Sequence, residues 1–347
     1  MPMVKRIIIT IVILITLAAA GAAASLYGLN YWAEQPLAYS APLEFEVSRG
    51  ETLTSAVNRL AQLSVVSIPK AALIYSKLKK QTHIQFGEYY IAPNQSWDQI
   101  NRLLMSGQVI ERSVTLVEGW TAAAALAAVQ GHDKITKTLS GIDDPALTAI
   151  LPAEHPHPEG WFFADTYSFH KGDTDLSIMR RALQKMQQAM AVLWQGKADG
   201  LPYQTPYEAL VMASIVEKET GVPSERSVIA GVFTRRLQKN MRLQTDPTVI
   251  YGLGSRYQGN ITRKHLREAT TYNTYVIKGL PPTPIALVGQ AALDAVFNPD
   301  NGKALYFVAK GDGSHYFSET LAEHNKAVRE YQILKRRTDY RSTPTTQ

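Results

Sequence analysis

A run of 27 uncharged residues, Ile7 to Ala33, stands directly behind the basic pair Lys5-Arg6, and the chain beyond it has ordinary soluble composition. Within that run Ile7–Leu26 is apolar apart from Thr10, Thr16, Gly21 and Ser25. At about 1.5 Å per helical residue its 20 residues reach roughly 30 Å, the thickness of a bilayer's hydrocarbon core. A segment apolar on every face at a chain end suits lipid better than the core of a domain. Lys5 and Arg6 on its short amino-terminal side keep that end cytoplasmic, which places the rest of the chain outside the cytoplasmic membrane. Tyr27, Tyr31 and Trp32 follow at interfacial depth. The competing reading is a cleaved signal peptide, since Ala22-Ala23-Ala24 offers small residues at a cleavage position. The run exceeds the ~7–15-residue apolar core of such peptides, which favours a retained single-pass anchor.

The chain contains no cysteine, which excludes disulfides, thiolate chemistry and a lipid-modified cysteine. An exported part of this length, without disulfides, must be held by its apolar core. The net charge is +6 and dispersed, with its densest run at Lys335-Arg336-Arg337 and Arg341 beyond. That run reads as a solvated helix end, and nucleic acid is an unsuitable partner on the outer side of a membrane. Only the tail Ser342–Gln347 has a composition that suits disorder.

Past a short linker carrying Pro36 and Pro42, residues Leu43–Ser48 alternate apolar and polar, the pattern of a half-buried strand. Arg49-Gly50-Glu51-Thr52 is a turn, and Thr52 can cap a helix whose face carries Leu53, Val57, Leu60 and Ala61. Further helices are expected over 70–78 and 97–106, and a strand over 87–91. The opening Phe45-Glu46-Val47-Ser48-Arg49-Gly50-Glu51-Thr52-Leu53 resembles the start of a LysM module, a βααβ unit that binds N-acetylglucosamine polymers; a ligand-free α+β spacer would read the same way. A strand over 110–117, an Ala-rich helix over 121–129 and a loop punctuated by Pro152, Pro156 and Pro158 follow. His155 and His157 have no third ligand nearby, so no metal site is expected. The chain therefore reads as α+β. It would have a cytoplasmic start (1–6), a transmembrane helix (7–27), a linker (28–42), a small LysM-like βααβ part (43–118), a connecting region (119–158), a larger mixed α/β part with a buried central helix (159–340) and a tail (341–347).

The most legible helix runs from Pro206 to Thr220. Thr205 is a candidate N-cap, Pro206 sits at the first helical position, and Glu208 completes a Thr-x-x-Glu capping box. Gly221 offers a stop. Ala209–Val216 is apolar or small on every face, and the last turn then carries Glu217, Lys218 and Glu219. Carboxylates at that end oppose the helix dipole, at about 0.3–1 kcal/mol each when exposed. Burial and the dipole both disfavour the ionised form and raise the carboxyl pKa, which a proton donor at neutral pH requires. Positions 217 and 219 lie about 200° apart, so one cleft cannot take both, and one of them should be a solvated end residue. Both continue apolar stripes, and spacing leaves the choice open. Downstream, 241–252 and Tyr272-Asn273-Thr274-Tyr275 are dense in hydrogen-bonding and aromatic side chains beside Gly and Pro, which suits a groove for a sugar chain.

The segments Glu159-Gly160-Trp161-Phe162-Phe163-Ala164-Asp165-Thr166-Tyr167, Ala213-Ser214-Ile215-Val216-Glu217-Lys218-Glu219-Thr220, Arg242-Leu243-Gln244-Thr245-Asp246-Pro247-Thr248 and Tyr272-Asn273-Thr274-Tyr275 resemble the YceG-like family of membrane-anchored endolytic murein transglycosylases. The resemblance implies a peptidoglycan lyase of the inner membrane that cuts nascent glycan between N-acetylmuramic acid and N-acetylglucosamine. It would leave a 1,6-anhydromuramic end and terminate strand growth alongside peptidoglycan synthases; the sequence itself carries no Gly-rich phosphate loop and no ligand cluster at metal spacing, so no cofactor or metal is expected. It places the catalytic acid/base on Glu219. Glu217, Gln244, Asp246, Thr248, Tyr272, Asn273 and Tyr275 are the candidate substrate-binding residues. Two rivals remain: a muramidase using water, with Asp246 as a second carboxylate, and an anchored glycan-binding scaffold without catalysis.

Overall fold

The computed structural model describes residues 3–334, so the basic run at 335–337, Arg341 and the tail lie outside the described residues. The architecture is mixed α+β, and it divides into two units between Arg112 and Ser113.

The first unit begins with helix α1, Met3–Glu34, 32 residues without interruption. Among the described residues it alone is long and apolar enough to cross a membrane, and its apolar stretch is fully exposed, which fits a single-pass anchor. Its end is built into the unit. Ala33 is completely buried, and Leu29 and Trp32 pack against the same core. Pro36 bridges Ser96, and the Leu37 N–H donates to the Gln95 carbonyl at 3.1 Å, so the stretch after the helix is pinned. Strand β1, Leu43–Val47, leads through a turn into α2, Leu53–Gln62, where the Thr52 hydroxyl accepts from the Ser55 N–H at 3.2 Å. Helix α3, Pro69–Leu78, and strand β2, Gly87–Ile91, complete a βααβ order in which β1 and β2 pair antiparallel, Phe45 opposite Tyr89. Helix α4, Trp97–Ser106, starts on a Ser96/Gln99 capping box and stops at Gly107 in the left-handed conformation, φ 70°.

Strand β3, Arg112–Thr115, begins on the last residue of the first unit and pairs with β4, Thr166–Phe169, a strand the alternation analysis misses. Between them lie α5, Ala122–Gln130, and the single turn α6, Pro145–Thr148. Helices α7 (Asp175–Gln195), α8 (Pro206–Glu219), α9 (Arg226–Gln238), α10 (Asp246–Leu253) and α11 (Gln290–Phe297) follow. A hairpin of β5 (Tyr306–Ala309) and β6 (His315–Ser318) and then α12 (Leu321–Val328) close the described chain.

Helix α8 packs against α7, α9, α10 and α11, and every residue from Ala209 to Val216 is buried. Leu210, Val211, Met212, Ile215 and Val216 each contribute about 1.5–3 kcal/mol on burial. That outweighs the dipole cost of two terminal acids, so the helix can hold them. Its caps differ in two details from the sequence expectation. Thr205 accepts from the Glu208 N–H at 3.2 Å, but the Glu208 carboxylate takes the Gln204 N–H at 2.6 Å, one residue outside a reciprocal box. The helix ends at Thr220 in extended conformation (φ −145°, ψ 135°), and Gly221 is not among the left-handed residues.

Candidate active site

Glu219 is the last residue of α8 and borders a cleft of about 1610 Å³ in the second unit. Pockets for small molecules occupy about 300–1,000 Å³, so this one has room for several units of a chain. Its lining includes Gly119, Thr121, Ala122, His157 and Glu159 as well as Tyr306, His315, Leu321 and His324. Lys218, Arg236, Gln244, Asp246, Tyr251, Tyr272 and Tyr275 also line it.

The Glu219 carboxyl is pushed up to about 7, first by burial and then by the charge of Asp246; the Thr245 hydroxyl and the Arg236 guanidinium act the other way. Thr245 donates to Glu219 Oε1. A carboxyl titrating near 7 can both give and take a proton at neutral pH, which general acid–base work requires.

Beneath it, threonines stitch together the two segments singled out downstream in the sequence. The Thr245 N–H donates to Thr274 Oγ1 at 3.1 Å, Thr248 Oγ1 to the Thr245 carbonyl at 2.9 Å, and the Thr248 and Thr274 hydroxyls are 2.9 Å apart. All three threonines are at most 2% exposed. Just before them Gln244 takes φ 53°, unusual for a residue with a β-carbon, while its N–H is held by the Thr274 carbonyl at 3.1 Å. Tyr275 donates to Asp246 Oδ1 at 2.7 Å.

Of the eight residues singled out from sequence, Glu219, Gln244, Asp246, Tyr272 and Tyr275 meet on this cleft and Glu217, Thr248 and Asn273 do not line it. Thr248 is part of the threonine stitch. Asn273 is 1% exposed: its Nδ2 donates to the His265 and Glu268 carbonyls at 3.0 and 2.7 Å, and its Oδ1 accepts from the Tyr275 N–H at 3.0 Å. It is a clamp that shapes the loop carrying the two tyrosines. Glu217 corrects the expectation that one of the paired acids is solvated. Its side chain is 3% exposed, with Oε1 3.5 Å from Arg226 Nη2 and Oε2 accepting from the Gly289 N–H at 3.1 Å. Burial raises its pKa as well, but on the far side of the helix, tied to α9 and to the residue before α11. The exposed residue of the last turn is Lys218, which donates to the Gly119 carbonyl at 3.1 Å.

Sequence reasoning did not single out Glu159, Arg236 or Tyr251 as site residues. Glu159 is 5% exposed and accepts from the Ala122 N–H at 2.8 Å and the Tyr251 hydroxyl at 3.2 Å. Burial pushes it up to about 7. Gly160 beside it has φ 80° and sits so close to Pro284 that a β-carbon would collide with that ring. Tyr251 and Tyr272 stack tilted, 5.0 Å between centroids, and Tyr272 exchanges a hydrogen bond with Thr283 at 2.8 Å. Arg236, 6% exposed, donates to the Leu243 and Leu305 carbonyls, both at 2.7 Å, and lies 5.1 Å over the Tyr306 ring. Nothing in local periodicity marks these residues, because their side-chain partners are 6 to 92 positions away. The two histidines of the proline-rich loop also have other work: His155 stacks on Tyr207 at 3.7 Å, and His157 Nδ1 accepts from the Glu159 N–H at 3.3 Å.

The model of the YceG-like family matches residues 45–330. The chain belongs to that family. A relative from Bacillus subtilis named endolytic murein transglycosylase is 31% identical to this YceG-like protein, over 83% of this chain and 84% of its own length. One of the same name from Streptococcus pneumoniae is 26% identical over 94% of this chain, which spans 65% of that longer relative. The crystal structure of a YceG-like protein of Listeria monocytogenes superposes with a TM-score of 0.51 at 28% identity, covering 83% of this chain and 99% of that one.

Proposed function

We propose that this protein is an endolytic lytic transglycosylase that cuts nascent peptidoglycan between N-acetylmuramic acid and N-acetylglucosamine, with Glu219 as its only proton-transfer group. Protonated Glu219 gives its proton to the glycosidic oxygen as the bond to C1 breaks. The ionised carboxylate then takes the proton of the muramic 6-hydroxyl as that oxygen closes on C1. The acid is regenerated, no water is consumed, and the product ends in a 1,6-anhydro ring. Positioned proton transfer of this kind contributes about 10²–10⁴-fold. The observation that carries the reading is a half-buried carboxyl, pushed up to about 7, on a cleft with volume for several sugar units and walled by tyrosines and amides. Gln244 and Asp246 would hold sugar hydroxyls, and Tyr272 and Tyr275 would stack on ring faces.

The names of the relatives support the substrate class. The exposed apolar helix supports an inner-membrane anchor with its amino terminus in the cytoplasm and both units outside, where glycan synthases would be neighbours. The βααβ order of the first unit is compatible with a LysM-like glycan contact, and we keep 43–118 and 159–340 as working functional divisions. One observation favours a second reading. Glu159 is another carboxyl pushed up to about 7 on the same cleft, and a hydrolase with water as acceptor would need two.

The assignment of the acid is tested with purified, uncrosslinked glycan strands. Glu219→Gln should abolish cleavage and Glu217→Gln should retain it; the reverse pattern would move the acid to Glu217.

A further inference from the structure

The hairpin wall of the cleft contains a carboxylate–imidazole pair that the reaction above does not use. His315, the first residue of β6, is 7% exposed, and its Nδ1 lies 2.8 Å from Glu225 Oε2. Its backbone N–H donates to Glu225 Oε1, also at 2.8 Å. A carboxylate only accepts, so Nδ1 carries the proton, and in the neutral ring Nε2 is left as an acceptor. Two aromatic rings flank the imidazole: Phe307 meets it edge-on at 5.3 Å and 89°, and Phe317 lies at 6.4 Å. The same Glu225 Oε2 accepts from the Thr220 hydroxyl at 3.3 Å, and Thr220 follows Glu219 in the chain. One carboxylate thus ties the end of α8 to β6. His315 lines the cleft that Glu219 lines, and among the described residues the ring's hydrogen bond runs through Nδ1 to Glu225.

We infer that Glu225 and His315 form a substrate-holding dyad, in which His315 Nε2 accepts a hydrogen bond from an O–H or N–H of the amino-sugar unit seated between Glu219 and the hairpin. His315 touches substrate and moves no proton in the reaction. Glu225 is a positioning residue: it fixes the tautomer and orientation of the ring. A pair with only a structural task would need Nδ1 and the backbone N–H and would leave Nε2 idle. The inference rests on the glycan-cleaving reading of this cleft.

The test uses the full chain in nanodiscs and the Glu219→Gln background, so that strands bind without being cut, and reads the dissociation constant for uncrosslinked glycan. In this background His315→Asn keeps an amide N–H where Nδ1–H sits, and hence the bond to Glu225, but removes Nε2. His315→Gln returns an acceptor near the Nε2 position. We expect Asn to weaken binding about 2- to 12-fold, the worth of one ordinary hydrogen bond, and Gln to bind more tightly than Asn. Equal binding by the parent and the Asn variant would overturn the dyad while leaving the acid intact. Should the Asn variant not fold, ¹⁵N-histidine spectra of the parent decide: the His315 Nε2 resonance should move when strands are added, and an unmoved resonance at saturating strands refutes the contact. Absence of strand binding by the parent, or cleavage by it, would instead overturn the proposed function, and the dyad with it.

Discussion

Thr245 gives a direct handle on the proton that does the chemistry. Its hydroxyl donates to Glu219 Oε1, a bond that favours the ionised carboxylate and opposes the upward push from burial. Thr245→Val keeps the shape of the side chain and leaves the backbone N–H on Thr274 in place. A hydrogen bond to a charged group is worth about 1.5–3 kcal/mol, and one pKa unit corresponds to about 1.36 kcal/mol. Losing it should therefore raise the Glu219 pKa by about 1–2 units. The reaction needs the protonated form to begin, so kcat/KM should fall above the pKa of the free enzyme, near 7 in the wild type. In Thr245→Val that descending limb should move to about pH 8–9. Asp246→Asn removes the neighbouring charge that pushes the carboxyl up, so its limb should move toward acid. The assay is release of glycan fragments from uncrosslinked strands across pH 5 to 10. A limb that stays put in both variants, or that moves toward acid in Thr245→Val, would refute Glu219 as the group that titrates.

Glu217→Gln should spare the chemistry: Gln keeps an acceptor for the Gly289 N–H and removes a charge that burial disfavours, so urea titrations at neutral pH should show an unfolding free energy unchanged or raised, with cleavage retained. Asn273→Ala removes three buried hydrogen bonds and should destabilise by about 2–4 kcal/mol; an unchanged unfolding curve with lost cleavage would instead mean that Asn273 contacts sugar. The buried acids also predict a pH trend in stability. Glu159 and Glu219 bind their protons more tightly when folded, so the stability they contribute is full below pH 4.5 and is lost as pH rises through about 7. The wild type should lose stability between pH 5 and 8 by about 3 kcal/mol more than Glu219→Gln, in urea unfolding of a chain beginning at Gly28; parallel curves would contradict the raised pKa. That starting point matters, because Leu29, Trp32 and Ala33 belong to the core of the first unit and a cut at residue 36 would remove them.

Local chemistry made some elements legible and long-range chemistry hid others. Ser96 and Gln99 announce α4, Thr205 and Pro206 announce α8, and the length of Ile7–Leu26 announces the anchor, because each signal lies within a few residues of what it specifies. Strand β4 was not legible: its four residues are too short to establish an alternation, and β3 pairs with it from some fifty positions away. The acid pair at the end of α8 was readable as chemistry, but its two members were told apart only by their surroundings. Glu217 meets Arg226 and Gly289, while Glu219 meets Thr245 and an open cleft. Asn273 and Thr248 are hydrogen-bonding residues in the right segments and still turn inward, because the loop that carries the cleft tyrosines needs its own backbone satisfied. Glu159 escaped notice for the opposite reason. It sits in a loop without periodicity, and its burial depends on Tyr251 and the start of α5.

The central claim, a single-acid lyase, is tested most directly by the masses of its products. Uncrosslinked glycan strands incubated with the wild type should yield fragments ending in 1,6-anhydromuramic acid, and Glu219→Gln should yield none. Fragments heavier by one water would contradict the lyase mechanism and make Glu159 the second carboxylate to examine.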